Sequence, residues 1–182
     1  MSRGRRPAAP GTRADIAAMI RVDHAGEYGA VRIYEGQLAV LGRSTSKTAH
    51  AIRHMAQQEQ EHLRAFDTLI NERRVRPTAL GPVWRVAGFA LGAATALIGE
   101  KAAMACTAAV EEVIDLHYAA QVDQLGEADP ALKQTVEKFR AEEIAHRDTA
   151  LAHGAEGAPA YPLLSGAIKA GCRLAIALST RL

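Results

Sequence analysis

Helical spacing dominates the pattern of apolar and polar positions along this chain. Around Glu27, for example, apolar residues stand three, four and seven positions away, and such intervals place side chains on one face of an α-helix. No convincing run of alternating β-branched residues appears. Seven prolines divide the chain into intervals that are long enough for helices, because proline breaks helix interiors. The pattern predicts an all-α protein with about four long helices and two shorter apolar ones.

Local capping signals predict where several of these helices begin and end. Residues 11–76 have room for two helices, with a break near 42–46, where a serine can cap the second. Asp129 followed by Pro130 predicts the start of a later helix, because proline is favoured at the first helical position. A last helix is expected over about 163–179.

Two apolar segments, at about 83–99 and 163–180, are predicted to lie at a membrane interface. The first contains 14 consecutive uncharged residues, Val86 to Gly99, whereas about 20 are needed to cross a bilayer. Trp84 stands at its edge, and the second segment has basic but no acidic residues. Indole rings and basic side chains favour the headgroup region. The alternative is that both segments are buried core helices. The bases beside the first segment are Arg73, Arg74, Arg76 and Arg85.

Composition and charge limit the class of protein. The 182 residues are 48% hydrophobic, which supports a sizeable core, and 22 basic groups nearly balance 20 acidic ones. Residues 1–13 contain four arginines and no acid, and we expect them to form a flexible basic tail before a single domain at 14–182. The charge balance of that domain argues against a nucleic-acid-coating protein. Two cysteines indicate buried thiols in a reducing compartment rather than a disulfide framework.

A duplicated arrangement of carboxylates and histidines carries the chemistry of this sequence. Residues 59–62 read Glu-x-x-His, and so do residues 143–146. Residues three apart share a helix face, so each motif can point both side chains inward. Glu27 lies 32 residues before the first motif, and Glu111 lies 32 residues before the second. The repeat predicts two helical hairpins that are built alike.

Metal binding accounts for these acids better than a solvated surface does. Carboxylates on apolar helix faces are unfavourable unless they are paired, neutralised or bound to a cation. Four carboxylates with two imidazoles are the ligand set of ferritin-like di-iron bundles. The sequence therefore predicts a ferritin-like four-helix bundle with two iron ions, and a set of solvated surface acids is the alternative. The predicted ligands are Glu27, Glu59, His62, Glu111, Glu143 and His146.

Four further residues are candidates for contact with the ligands. Asp23 lies four residues from Glu27, and Asp115 lies four residues from Glu111. Either aspartate can hold a ligand histidine in one tautomer. His117 and Tyr118 follow Glu111 by about two turns, and we expect them to line the site; a solvated position is the alternative for His117.

Seven stretches of the sequence are distinctive, and four of them contain the predicted ligands. They are RVDHAGEYGAVRIYEGQLAVLGR, QEQEHL, RVRPT, GFALGAATALIG, MACTAAVEE, KFRAEEIAH and AGCRLAI. Together they resemble the demethoxyubiquinone hydroxylase family of ubiquinone biosynthesis. The resemblance extends from Asp15 to Leu182, includes all six ligand positions and leaves out only the basic tail.

The resemblance implies a di-iron monooxygenase that uses O2 to hydroxylate the ring of a demethoxylated polyprenyl quinone or quinol. It assigns Glu27 and His62 to one iron and Glu59 as a bridge between the two. Glu111, His146 and the bridging Glu143 complete the second iron's ligands. No Gly-x-Gly-x-x-Gly motif follows a predicted strand, so electrons are expected from NADH docking in another way, a separate reductase or the quinol itself.

The expected partners are the quinone substrate, the membrane lipid surface and further copies of the chain. A lipid-binding accessory protein of the same pathway is implied by resemblance only, and no nucleic acid is expected. We expect a peripheral membrane protein on the cytoplasmic face of a bacterial inner membrane, or alternatively on the matrix side of the mitochondrial inner membrane. The rival functions are a ferritin- or rubrerythrin-like protein that stores iron or removes peroxide, and a non-enzymatic membrane scaffold.

Overall fold

This computed structural model describes residues 12–182 of the chain. That part contains six α-helices and one 3-10 turn, joined by short loops, and no strand. The predicted all-α class, with four long helices and two shorter ones, is confirmed. Of the predicted basic tail, residues 1–11 lie outside the described residues, while Thr12 caps the first helix and Arg13 begins it. The elements are α1 (Arg13–Leu41), α2 (Lys47–Glu72), α3 (Gly81–Ile98), α4 (Glu100–Leu125), α5 (Pro130–Ala152), the 3-10 turn (Ala155–Gly157) and α6 (Tyr161–Ser179).

Side-chain caps fix the starts of α2 and α5 where the sequence places them. The hydroxyl of Ser46 accepts a hydrogen bond from the backbone N–H of Ala49 at 3.0 Å. Asp129 accepts one from the backbone N–H of Leu132 at 3.1 Å, and it also pairs with Arg73 at 2.6 Å. The cap of α5 is thereby tied to the end of α2, so a local signal also serves tertiary packing.

The helices pack as two hairpins, each with one apolar helix beside it. Helix α1 packs against α2 and α3, whereas α4 packs against α5 and α6. The halves meet where α4 contacts α3 and α1, where α1 contacts α6 and where α2 contacts α5. These contacts bring the two hairpins side by side.

Glycines let the backbones of α1 and α3 touch. A Cβ atom on Gly92 of α3 would lie 1.9 Å from the carbonyl oxygen of Ile33, and one on Gly36 of α1 would lie 2.1 Å from that of Phe89. No side chain fits in either place without separating the helices. This contact fixes α3 on the outer side of α1, the helix that carries Glu27.

Helices α3 and α6 each leave an apolar face uncovered. Val86 and Leu97 on α3 are 69% and 74% exposed, and Leu163 and Leu174 on α6 are 75% and 60% exposed. Within this single chain the alternative that both segments are buried core helices is wrong, since 17% of α3 is buried and α6 buries only Ser165, Ile168 and Ser179. Within residues 12–182, α3 is the one helix long and apolar enough, by length and composition alone, to cross a membrane.

Candidate metal centre

The six predicted ligands converge in the interior between the two hairpins. Glu27 comes from α1, residues Glu59 and His62 from α2, and Glu111 from α4. The second Glu-x-x-His motif, residues 143–146, comes from α5. All six residues are at most 2% exposed. The neighbouring acids Glu112 and Glu142 are partly exposed instead, which favours Glu111 and Glu143 over them as ligands.

The ligand atoms form two groups that share two carboxylates. One group contains Glu27, Glu59, His62 and Glu143, and the other contains Glu59, Glu111, Glu143 and His146. Within each group the ligand atoms lie within 4.8 Å of one another. The shared members are the two glutamates of the Glu-x-x-His motifs. Such an arrangement could hold two adjacent cations with two carboxylates between them.

Both histidines present Nδ1 to the interior and Nε2 to a partner outside it. His62 Nδ1 lies 3.0 Å from Glu143 Oε1, and His146 Nδ1 lies 3.0 Å from Glu59 Oε1. On the outer side, His62 Nε2 lies 2.5 Å from Glu142 Oε2. His146 Nε2 lies 3.1 Å from the Oε1 of Gln58. An outer acceptor leaves Nε2 protonated and Nδ1 free to bind a metal.

The prediction that Asp23 or Asp115 holds a ligand histidine is wrong. Asp115 pairs with Arg140 at 2.7 Å and with Arg147 at 3.4 Å. Asp23 accepts a hydrogen bond from Gln121 at 2.7 Å and contacts His117 at 3.1 Å. The reason is that α2 and α5 face each other, so the outer nitrogen Nε2 of each ligand histidine meets a residue of the facing helix.

Two buried tyrosines donate hydrogen bonds to ligand carboxylates across the interior. Tyr34 of α1 donates to Glu111 of α4 at 3.0 Å, and Tyr118 of α4 donates to Glu27 of α1. The structure therefore places Tyr118 at the site, as expected. His117 contacts Asp23 and none of the predicted ligands.

An 84-residue repeat relates the two halves of the site and includes residues that the sequence analysis missed. It relates Glu27 to Glu111 and both motif residues of α2 to those of α5. The same interval relates the two tyrosines, two buried glutamines and the two partners of the ligand histidines. Comparing the sequence with itself at this interval would have identified them. The missed residues are Tyr34, Gln37, Gln58, Gln121 and Glu142.

Burial of so many acids sets the electrostatics of the site. Burial and, to a smaller extent, the charge of Glu143 raise the pKa of Glu59 to about 8. Burial also raises the pKa of Glu27 and of Glu111. Burial lowers the pKa of His62, but the carboxylates of Glu143 and Glu27 outweigh this and raise it to about 12. Carboxylates this close together repel one another, so protons or a bound cation between them are favoured.

Unpaired atoms show what kind of group fits the site. Eight side-chain oxygen and nitrogen atoms of the six predicted ligands are buried without a hydrogen bond in the described part of the chain. Leaving such atoms unpaired is unfavourable, and carboxylate oxygens can only accept. A set of carboxylate oxygens and imidazole nitrogens suits divalent iron or manganese rather than a metal that prefers thiolates. The residues present therefore fit a pair of divalent metal ions.

Comparison with known proteins agrees with this geometry. Residues 14–179 match the family model described as ubiquinone biosynthesis protein COQ7. A 3-demethoxyubiquinol 3-hydroxylase of Rhodospirillum rubrum is 59% identical, over 97% of this chain and 83% of the relative. The mitochondrial NADPH-dependent 3-demethoxyubiquinone 3-hydroxylase of Homo sapiens is 55% identical, over 94% and 80%. The mitochondrial 5-demethoxyubiquinone hydroxylase of Saccharomyces cerevisiae is 41% identical, over 87% and 74%.

The family match covers the four helices that carry the predicted ligands, except for Arg13 at the start of α1, and the identities extend over most of each relative. The resemblance seen in the sequence is thereby confirmed. This chain belongs to the COQ7 family of ubiquinone biosynthesis proteins.

Proposed function

We propose that this protein is a di-iron monooxygenase that hydroxylates the ring of demethoxyubiquinone, or its quinol, with O2. The observation that supports this most directly is the pair of ligand groups that share Glu59 and Glu143. The names of its relatives supply the substrate class. Together α1, α2, α4 and α5 would form the ferritin-like four-helix bundle that the ligand pattern predicts.

The chain's own residues would hold each metal in a defined place. Glu27 and His62 would bind one iron, Glu111 and His146 the other, and the two shared glutamates both. When bound, iron supplies the activation of O2, which organic side chains cannot provide. The tyrosine hydrogen bonds fix the outer carboxylates, and burial excludes bulk water from all six ligands.

An apolar cavity beside the ligands suits the substrate ring. It has a volume of about 170 Å³ and lies between α1, α3, α4 and α6. Gly26 and Val110 in its wall each directly precede a predicted ligand. At one end of the wall, Trp84 of α3 donates a hydrogen bond to Ser179 of α6 at 2.9 Å. We propose that the quinone ring enters between α3 and α6 while its isoprenoid tail stays in lipid.

The exposed faces of α3 and α6 would rest on the membrane. Basic side chains beside these apolar faces would meet lipid headgroups. The protein would be peripheral, on the cytoplasmic face of a bacterial inner membrane or, if mitochondrial as several relatives are named, on the matrix side of the inner membrane. A homo-oligomer and a lipid-binding accessory protein remain part of this proposal.

The metal ligands do not determine the source of electrons. Several eukaryotic relatives are named as NADPH-dependent. We propose a nicotinamide nucleotide as the ultimate donor, acting directly, through a reductase or through the quinol.

Isotope labelling tests the proposed reaction. We expect the reduced, iron-loaded protein to convert a short-chain demethoxyquinone into a product that carries one atom from ¹⁸O2, because a monooxygenase transfers one atom of O2 to its substrate. Mass spectrometry of the extracted product measures the label.

The matched control uses unlabelled O2 in H2¹⁸O, in which the new oxygen should carry no label. A hydroxylated product without label from ¹⁸O2 would overturn the monooxygenase assignment. Oxidation and accumulation of added Fe²⁺, with no hydroxylated quinone, would favour the ferritin-like alternative.

Vesicle binding tests the proposed membrane face. We expect the double substitution Val86→Glu, Phe89→Glu to reduce co-sedimentation with anionic vesicles several-fold, because these side chains are 69% and 43% exposed on α3 and charges there oppose insertion. Iron content should not change, since the opposite face of α3 contacts α1. Leu116→Glu, at a 58% exposed leucine on α4, is the control and should bind vesicles normally. Equal binding by all three proteins would contradict the proposed face.

A further inference from the structure

We infer that the two metal positions are unequal, and that the position formed with Glu27 and His62 binds a divalent metal more tightly than the position formed with Glu111 and His146. The difference lies in the residues that hold the two histidines, Glu142 for His62 and Gln58 for His146. This inference rests on the proposed metal centre and adds to it which position fills first and why.

The two holding residues occupy equivalent places in the repeat. Gln58 directly precedes the glutamate of the first motif, and Glu142 directly precedes that of the second. Each reaches the ligand histidine of the facing helix. Their contacts differ, at 2.5 Å from His62 Nε2 to Glu142 Oε2 and 3.1 Å from His146 Nε2 to Gln58 Oε1. The two halves therefore place a holding residue at the same position, but one of these residues is neutral and the other is an acid.

A carboxylate and an amide act differently on a metal-binding imidazole. An N–H that donates to a carboxylate forms a shorter and stronger hydrogen bond than one that donates to a neutral oxygen. It leaves more electron density on the other ring nitrogen, which raises the basicity of the ligand and its affinity for a metal. Glu142 also lies 3.8 Å from Lys138, but that side chain is 65% exposed, so solvent screens most of its charge.

A second difference between the two halves also favours metal binding at the position of His62. Gln121 donates to the carboxylate of Asp23 at 2.7 Å, whereas its equivalent Gln37 donates to the hydroxyl of Thr107 at 3.3 Å. Asp23 lies one turn before Glu27 on α1. Its carboxylate is therefore nearer to the metal position of Glu27 and His62 than to the other one. His117, 3.1 Å from Asp23, offsets part of that charge, and Glu142 therefore carries most of the predicted difference.

Calorimetry with Co²⁺ in single-site proteins tests the role of Glu142. His146→Ala leaves the position of His62, and His62→Ala leaves the position of His146. We expect Glu142→Gln to weaken Co²⁺ binding about 10- to 100-fold in the first protein, the usual effect of removing such a partner, and to leave the second unchanged. Gln58→Glu should tighten binding in the second protein and leave the first unchanged.

The exchange variant Glu142→Gln, Gln58→Glu tests the order of filling with all six ligands present. In crystals grown with one equivalent of Co²⁺, anomalous scattering should place the metal beside His62 in the original protein and beside His146 in the exchange variant. Equal occupancy in the original protein, or occupancy that the exchange does not move, would overturn the inference while leaving the metal centre intact. Absence of any Co²⁺ binding would overturn the proposed centre itself.

Discussion

Replacing Glu59 by alanine is expected to abolish the binding of both metal ions, whereas replacing Glu27 is expected to remove only one. The reason is that Glu59 belongs to both ligand groups and Glu27 to one. Glu143→Ala should behave like Glu59→Ala, and Glu111→Ala like Glu27→Ala. The measurement is metal content after anaerobic loading with Fe²⁺ and removal of excess metal.

Glu61→Ala is the matched control, because Glu61 lies on the same helix but is exposed, and it should retain two metals. The metal-free Glu59→Ala protein should stay folded by circular dichroism, since burial and the nearby Glu143 already disfavour the charge of Glu59. Full metal content in Glu59→Ala, or loss of both metals in Glu27→Ala, would contradict the shared arrangement.

Gly92→Ala is expected to lower the free energy of unfolding by about 3 kcal/mol, the upper part of the usual range for overpacking. The added Cβ would lie 1.9 Å from the carbonyl oxygen of Ile33. Because that atom belongs to the backbone of α1, it cannot move aside as a flexible side chain can, so the helices must separate. Urea denaturation monitored by circular dichroism measures the loss.

Gly166→Ala provides the control in the other apolar helix. No atom lies within 4 Å of the place where its Cβ would be, and alanine favours a helix over glycine by about 1 kcal/mol. This substitution should leave stability unchanged or slightly increase it. Equal stability of the Gly92 and Gly166 variants would show that the α1–α3 contact adjusts without cost.

Most of the fold could be predicted because its signals are local. Proline positions, the Ser46 cap and the Asp129-Pro130 start depend on neighbouring residues only, and α2 and α5 begin where they predict. The i, i+3 spacing of each Glu-x-x-His motif is also local, and it correctly brings the ligands of one helix to one face.

The remainder of the site depends on which helices face each other, and local spacing does not determine that. Asp23 and Asp115 were reasonable partners for a ligand histidine as judged by distance along α1 and α4. The histidines instead meet Glu142 and Gln58, because α2 faces α5. Composition alone also leaves the positions of α3 and α6 open, since an apolar helix of this length suits a core as well as a membrane interface.

Neither hairpin contains a complete ligand group, because each group takes at least one carboxylate from the other half of the chain. At the proposed metal centre, binding would therefore be linked by mass action to the docking of the two halves, and one bound ion would add about 2.7 kcal/mol to stability when free metal exceeds its dissociation constant 100-fold. A shortage of iron would then leave the two halves less firmly joined. Proteases degrade such chains faster, so we expect the amount of the protein to fall when iron is scarce.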